Sequence, residues 1–183
     1  MACIVPALPK AGEIDNQVAT PSTYRLATIG VYGFDSLTFI HRLQQANVRL
    51  LLDVRQRRGV RGAQYAWANS LRLQAALTDA GIAYQHYRQL APTTELRQLQ
   101  YAEDKRQGVG KRNRRELATE YVARFTKEIL DRVDLAPFVA TLPLDGLTAF
   151  LCVERDPEAC HRSLIANRIK VEFNATIQHL YPG

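Results

Sequence analysis

The run Val48-Arg49-Leu50-Leu51-Leu52-Asp53-Val54-Arg55 constrains the fold more than any other stretch of this chain. Its apolar core is nearly continuous. A strand reads that way only when both faces of its sheet are covered, as in parallel sheets. Leu147-Thr148-Ala149-Phe150-Leu151-Cys152-Val153 is a second run of the same kind far downstream. Arg25-Leu26-Ala27-Thr28-Ile29-Gly30 reads as a buried strand ending at a glycine, residues 82–87 as a third strand in chain order, and residues 177–180 as a short last one. Helical spacing fills the gaps. Asp35 or Ser36 can cap a helix with Leu37, Phe39, Ile40 and Leu43 on one face. Asn69 or Ser70 can start another carrying Leu71, Leu73, Ala76 and Leu77, and a third is expected over residues 157–173. Strands alternating with helices predict an α/β domain, three-layer α/β/α, with a mostly parallel sheet of about five strands.

Between the third and fourth strands, residues 92–135 are helical in pattern and highly charged, which predicts a helical insertion. Gly108-Val109-Gly110 divides it into a helix near residues 94–106 and another near residues 114–133, whose buried stripe is Leu117, Tyr121, Phe125 and Ile129. Residues 1–23 read as a flexible leader containing Cys3, and residues 24–183 as a single domain. An apolar fraction of 46% is enough to fill its core. No apolar run approaches the roughly 18 residues of a membrane helix, so no membrane role is expected. The first residues do not resemble a signal peptide. Three cysteines are too few for a disulfide framework, so a reducing cytoplasm is the expected setting. The net charge of +6 suits a polyanion or a phosphorylated small molecule as partner, although an ordinary basic surface would look the same.

Reactive groups crowd the end of the second apolar run: Cys152-Val153-Glu154-Arg155-Asp156-Pro157-Glu158-Ala159-Cys160-His161-Arg162. Strand-to-helix junctions of this kind form the ligand crevices of α/β sheets. Asp156 before Pro157 is a favourable helix start. It would put Cys160, His161 and Arg162 in the first two turns. The helix dipole, Arg155, Arg162 and His161 then favour a Cys160 thiolate, while Glu154, Asp156 and Glu158 oppose it, so the sign of the shift stays open. Four functional readings compete. Arg155, Arg162 and free backbone N–H groups could hold a phosphate. Cys160 could be a nucleophile with His161 or Glu154 as base. Cys152 and Cys160 could be a redox pair. Zinc on Cys152, Cys160 and His161 is disfavoured by the adjacent Cys-His ligands and the missing fourth, so neither a metal nor another cofactor is expected. The plain alternative is two small buried residues.

Asp53 and Arg55 close the other apolar run and share a side of it, pointing into the crevice or pairing to anchor the loop. Arg55, Arg57, Arg58 and Arg61 then lie in one acid-free stretch with glycines, followed by Tyr65 and Trp67. Arginines with aromatic rings suit phosphate contacts and base stacking; a solvated basic loop is the rival. The insertion adds Lys105, Arg106, Lys111, Arg112, Arg114 and Arg115, either a clamp or a charged turn. Tyr84, His86 and Tyr87 could line the same crevice, although a lone histidine there is more often packed. There is no P-loop, G-x-G-x-x-G or G-x-S-x-G.

Thr28-Ile29-Gly30, Asp53-Val54-Arg55 and the Cys152 to Arg162 run, read as C-x-E-x-x-P-x-x-C-H-R, together resemble the bacterial "domain of unknown function 488" proteins. The likeness extends in order from about Leu26 to Leu180. After T-I-G that family often has histidine or tyrosine and then serine, where this chain has Val31-Tyr32. The resemblance implies a compact α/β domain with a site of Asp53, Arg55, Cys152, Glu154, Cys160, His161 and Arg162, and it implies no activity.

The expected function is binding of a phosphate-bearing ligand, nucleic acid first and nucleotide second. Arg55, Arg57, Arg58, Arg61, Arg155 and Arg162 would meet phosphate, and Tyr65 and Trp67 would stack a base or sugar. Asp53 and Glu154 would orient arginines or act as acid and base, with Cys160 and His161 carrying any covalent or proton-transfer step. A thiol-dependent enzyme using Cys160 or the Cys152–Cys160 pair, and a basic adaptor for an acidic protein, are the alternatives.

Overall fold

A computed structural model describes residues 24–183; the leader expected at residues 1–23 lies outside the described residues. Strands β1 (Arg25–Gly30), β2 (Val48–Asp53), β3 (Ala83–His86), β4 (Leu147–Cys152) and β5 (Thr176–Leu180) form one sheet. Its order is β3-β2-β4-β1-β5, and every neighbouring pair is parallel. Every residue of β4, at the centre, is buried. The near-continuous apolar runs thus have the physical cause expected of them.

Two apolar layers cover the sheet. On one face, Ala27, Ile29, Leu51, Ala149 and Leu151 meet Phe39 and Leu43 of α1 (Ser36–Gln45) and Leu73 and Leu77 of α2 (Ser70–Asp79). On the other, Leu26, Leu52 and Phe150 meet Leu96 of α3 (Thr94–Arg106), Tyr121 and Phe125 of α4 (Thr119–Phe125), Phe138 of α5 (Ala136–Val139) and Ile165 and Ile169 of α6 (His161–Phe173). The fold is a three-layer α/β/α sandwich. Each fully buried Leu, Ile or Phe contributes roughly 1.5–3 kcal/mol, so these two layers hold the sheet between them. Among the described residues no helix is long and apolar enough to cross a membrane.

Local signals start and stop the helices. The Asp35 carboxylate accepts the Thr38 N–H at 2.8 Å while the Thr38 hydroxyl accepts the Asp35 N–H at 3.2 Å, a reciprocal cap on α1. α6 ends on Asn174 in the left-handed region, φ 52°, a conformation that asparagine tolerates. The helix expected over residues 157–173 is divided: Pro157–Ala159 make a short 3-10 turn, Cys160 is extended, and α6 begins only at His161. The helix expected over residues 114–133 begins only at Thr119. It continues from Phe125 through a wider i→i+5 turn, Thr126–Leu130. A 3.6-residue turn runs ahead of a stripe repeating every four residues, and the wider turn takes up that drift, leaving Tyr121, Phe125 and Ile129 buried together. Leu37, expected on the buried face of α1, is 84% exposed.

The helices that follow β1 and β2 lie on one face, and the helix that follows β4 lies on the other. A crevice therefore opens at the carboxyl end of β4, between those of its neighbours β1 and β2, where α/β sheets bind ligands. Gly30 ends β1 there. A Cβ on it would stand 1.8 Å from the Glu154 carbonyl oxygen. Hydrogen bonds from the N–H groups of Val31 and Tyr32 to the Cys152 and Val153 carbonyls, at 3.1 and 3.0 Å, hold the two backbones together. Gly30→Ala is expected to lower stability by about 3 kcal/mol or more, the upper range for overpacking. Gly110→Ala, with nothing within 4 Å of its added Cβ, should stay within about 0.5 kcal/mol of the parent. Denaturant unfolding compares them, and equal midpoints would contradict the close approach.

Candidate functional site

Four side chains of the cysteine run converge at the end of β4. The thiols of Cys152 and Cys160 approach the same oxygen, Glu154 Oε2, at 3.1 and 3.2 Å. Each sulfur also lies 3.9 Å from His161 Nδ1. The two sulfurs and Nδ1 fall within 4.8 Å of one another. Cys160 is extended at φ −143°, ψ 139°, immediately before α6, which is why adjacent Cys160 and His161 side chains meet instead of splaying around a helix. His161 Nε2 lies 2.9 Å from the Val54 carbonyl. A carbonyl only accepts, so Nε2 carries hydrogen.

Burial sets the electrostatics. It pushes the Cys152 thiol well above its usual value, and the contact with Cys160 and the negative charges of Cys160 and Glu154 add to it. Burial also acts upward on Cys160, but the hydrogen bond from Cys152, the Arg162 charge and His161 outweigh it and hold this thiol well down. For His161 burial acts downward and is outweighed by the Cys160 charge and hydrogen bond, so the imidazole is raised. A Cys160 thiolate facing a carboxylate oxygen at 3.2 Å is repulsive unless a proton or cation lies between them.

Around this cluster stands a charged frame. Arg114 donates to Glu154 Oε1 at 3.1 Å, to Asp104 Oδ2 of α3 at 2.8 Å and to the Ala159 carbonyl at 3.1 Å. Gln100 donates to Asp104 Oδ1 at 2.9 Å and accepts the Ala118 N–H at 2.9 Å, placing the start of α4. Arg162, 1% exposed, donates to the Glu154 and Arg155 carbonyls at 2.7 and 2.9 Å. Arg55 grips Asp53 through two parallel hydrogen bonds, 2.8 and 2.6 Å, and the Ala68 carbonyl at 2.9 Å. Tyr84 donates to the same Asp53 at 2.7 Å, and His86 bonds the Arg55 carbonyl at 2.9 Å.

A cavity of about 440 Å³ opens over the cluster. Cys152, Glu154, Cys160, His161 and Arg114 line it, with Arg57, Arg61, Arg97, Tyr32, Tyr101 and Tyr121 among its other walls. Arg57 and Arg61 are exposed and have no side-chain hydrogen bond or ion pair among the described residues. Arg97 is held by Gln56 at 2.6 Å and Tyr101 at 3.0 Å. Arg112 lies 5.3 Å from the ring centres of both Tyr32 and Tyr65.

The residues singled out in the sequence therefore divide. Cys152, Glu154, Cys160, His161, Arg55, Arg57 and Arg61 reach the cavity. Asp53 is buried behind it on Arg55 and Tyr84. Arg58 turns to Tyr84. Arg155 is exposed, 3.6 Å from Asp156. Arg162 spends donors on backbone carbonyls. Tyr65 packs on Tyr32 with ring centres 5.1 Å apart, and half-buried Trp67 packs on Phe39 at 4.9 Å, against the core. Arg97, Gln100, Asp104 and Tyr121 enter the site without having been chosen from the sequence, and Arg114, named there only as one of a basic group, enters as a buried partner of Glu154. Tyr121 carried a signal in its stripe, whereas Arg114 looked like its charged neighbours.

A parallel sheet covered by helices on both faces, with charged and thiol side chains gathered at its switch point, defines a three-layer α/β domain. The chain belongs to the family described as "Domain of unknown function DUF488", which matches it over residues 37–169. No curated protein and no solved structure matches it.

Arg114→Met tests the charged frame. Removing one partner of a buried ion pair costs about 3–5 kcal/mol because the other charge is left unpaired, and here two carboxylates are left. Thermal and denaturant unfolding should show a loss of that size. Arg106→Met, whose partner Glu103 lies on the surface, should leave the unfolding midpoint close to the parent's.

Proposed function

We propose that this protein binds a small phosphate-bearing ligand, a nucleotide in preference to a nucleic-acid polymer, in the cavity over the β4 end. One observation carries this: Arg57 and Arg61, unpaired among the described residues, rim a half-open cavity lined further by Arg97 and Arg114. Guanidinium groups form strong, charge-assisted hydrogen bonds with phosphate. The volume of about 440 Å³ falls within the range of small-ligand sites, and the position is the one favoured by ligands of open α/β sheets. Tyr32 offers an aromatic wall for a base or sugar. Arg55 and Arg162, with several donors committed to protein acceptors, support the loops instead of meeting phosphate. A polymer would need its cations spread along an open groove, and those named here rim one concavity.

Calorimetric titration with inorganic pyrophosphate, nucleoside diphosphates and a single-stranded oligonucleotide, each at low and moderate salt, tests the reading. A nucleoside diphosphate should bind most tightly. Arg57→Ala with Arg61→Ala should weaken it roughly a hundredfold, from about 1.5 kcal/mol or more per charged hydrogen bond, and salt should weaken the parent's binding. No binding of the small phosphates, or oligonucleotide binding that the double variant leaves intact, would overturn the proposal.

A further inference from the structure

We propose that Cys152, Cys160 and His161 form a zinc site, with the Glu154 carboxylate as fourth ligand. This goes beyond the phosphate-ligand reading and does not depend on it. Two thiolates and an imidazole are the soft and borderline donors that zinc selects.

The distances fit. Tetrahedral bonds of roughly 2.3 Å to sulfur and roughly 2.0 Å to nitrogen or oxygen set sulfur about 3.5 Å from either donor. Both sulfur-to-Nδ1 separations are 3.9 Å, and the sulfur-to-Oε2 separations are 3.1 and 3.2 Å. Both sulfurs are thus within a few tenths of an ångström of the tetrahedral separation from Nδ1 and from Oε2, and the two sulfurs and Nδ1 lie within 4.8 Å of one another. The two objections that the sequence raises against zinc both fall. Extended backbone at Cys160 lets neighbouring ligands converge, and the fourth donor is Glu154, two residues past the first.

The outer contacts are those a metal centre needs. A ligating histidine usually gives its other N–H to a carbonyl or carboxylate, which fixes the tautomer and aims the free lone pair. His161 does so through Nε2 to Val54 at 2.9 Å, leaving Nδ1 toward the sulfurs. The other carboxylate oxygen, Glu154 Oε1, is held by Arg114 at 3.1 Å. Charge also balances: a divalent ion offsets two thiolates and leaves Arg114 and Arg162 against Glu154 and Asp104. On loading, zinc forms bonds to both sulfurs, Nδ1 and Oε2, and any thiol proton still present leaves to the buffer. No oxidation state changes.

Metal analysis of the purified, reduced chain should find one equivalent of zinc. The chelated protein titrated with Co2+ should give the near-ultraviolet absorption of thiolate-bound cobalt. Cys152→Ser and Cys160→Ser should each lose the absorption and the zinc, while Cys3→Ser keeps both. Because a buried serine could unfold the chain, alkylation of the native parent is the second readout: Cys152 and Cys160 should be protected when loaded and react once chelated. Arg57→Ala with Arg61→Ala should retain its zinc, so failure of the ligand reading and failure of this one are separable. A chain without zinc that binds no Co2+ through sulfur, a Cys152–Cys160 disulfide under reducing conditions, or rapid alkylation unaffected by chelator would each overturn the proposal.

Discussion

Glu154 is the residue through which the site is tied to the fold. Its carbonyl accepts from Arg162 of α6 at 2.7 Å and sits so close to β1 that only a glycine fits opposite. Its carboxylate meets both cysteines through one oxygen and Arg114 through the other. Arg114 in turn reaches Asp104 of α3 and the carbonyl just before Cys160. One buried residue thereby joins β1, β4, α3 and the start of α6. Buried charges are tolerable only when each is partnered, so these groups stand together or not at all. That mutual requirement, more than any single contact, positions the two sulfurs.

The helical segment between β3 and β4 acquires its purpose from the same network. Its sequence looks like a solvated charged stretch, and much of it is exposed. Yet Gln100, Asp104 and Arg114 are buried, and Leu96, Tyr121, Phe125 and Ile129 complete the apolar layer over β4 and α6. The segment is therefore a wall of the cavity as well as one layer of the sandwich. Arg97 extends that wall to Gln56 at 2.6 Å, so the arginine-rich loop after β2 is braced against α3.

Much of the fold could be read from the chain, because parallel strands and amphipathic helices write their periods locally. All five strands fall where the apolar runs place them, and the D-V-R and cysteine motifs lie on adjacent strands, Asp53 opposite Leu151. The site was legible only as far as local sequence reaches. Asp53 with Arg55 resolves as a local pair, since alternation puts them side by side. Arg114 could not be told from Arg112 or Arg115, because burial is decided by Glu154, 40 residues away. Trp67 after an arginine loop looked like a stacking platform, and only the position of Phe39 turns it against the core. The extended backbone at Cys160 was hidden for a similar reason. Asp156-Pro157 does start a turn, but a 3-10 one that ends at Ala159, and the true helix begins after the cysteine.

The cavity joins two regions of opposite physical character. Its floor is buried, carries sulfur and carboxylate, and is cross-linked by buried charge pairs. Its rim is exposed guanidinium on a loop containing Gly59 and Gly62. Interactions among exposed charges fade over about 10 Å at 0.1 M salt, whereas buried pairs are screened far less. Ionic strength therefore acts on the rim alone. On the proposed reading, Arg57 and Arg61 would draw an anion into the cavity, and Arg114, paired with Glu154, would offset the repulsion from that carboxylate. A phosphate would rest at the rim, and the floor would face whatever group that phosphate carries. The order of the two motifs along the sheet thus has a physical consequence: on that reading the D-V-R loop would offer exposed, salt-sensitive contacts and the cysteine run buried ones.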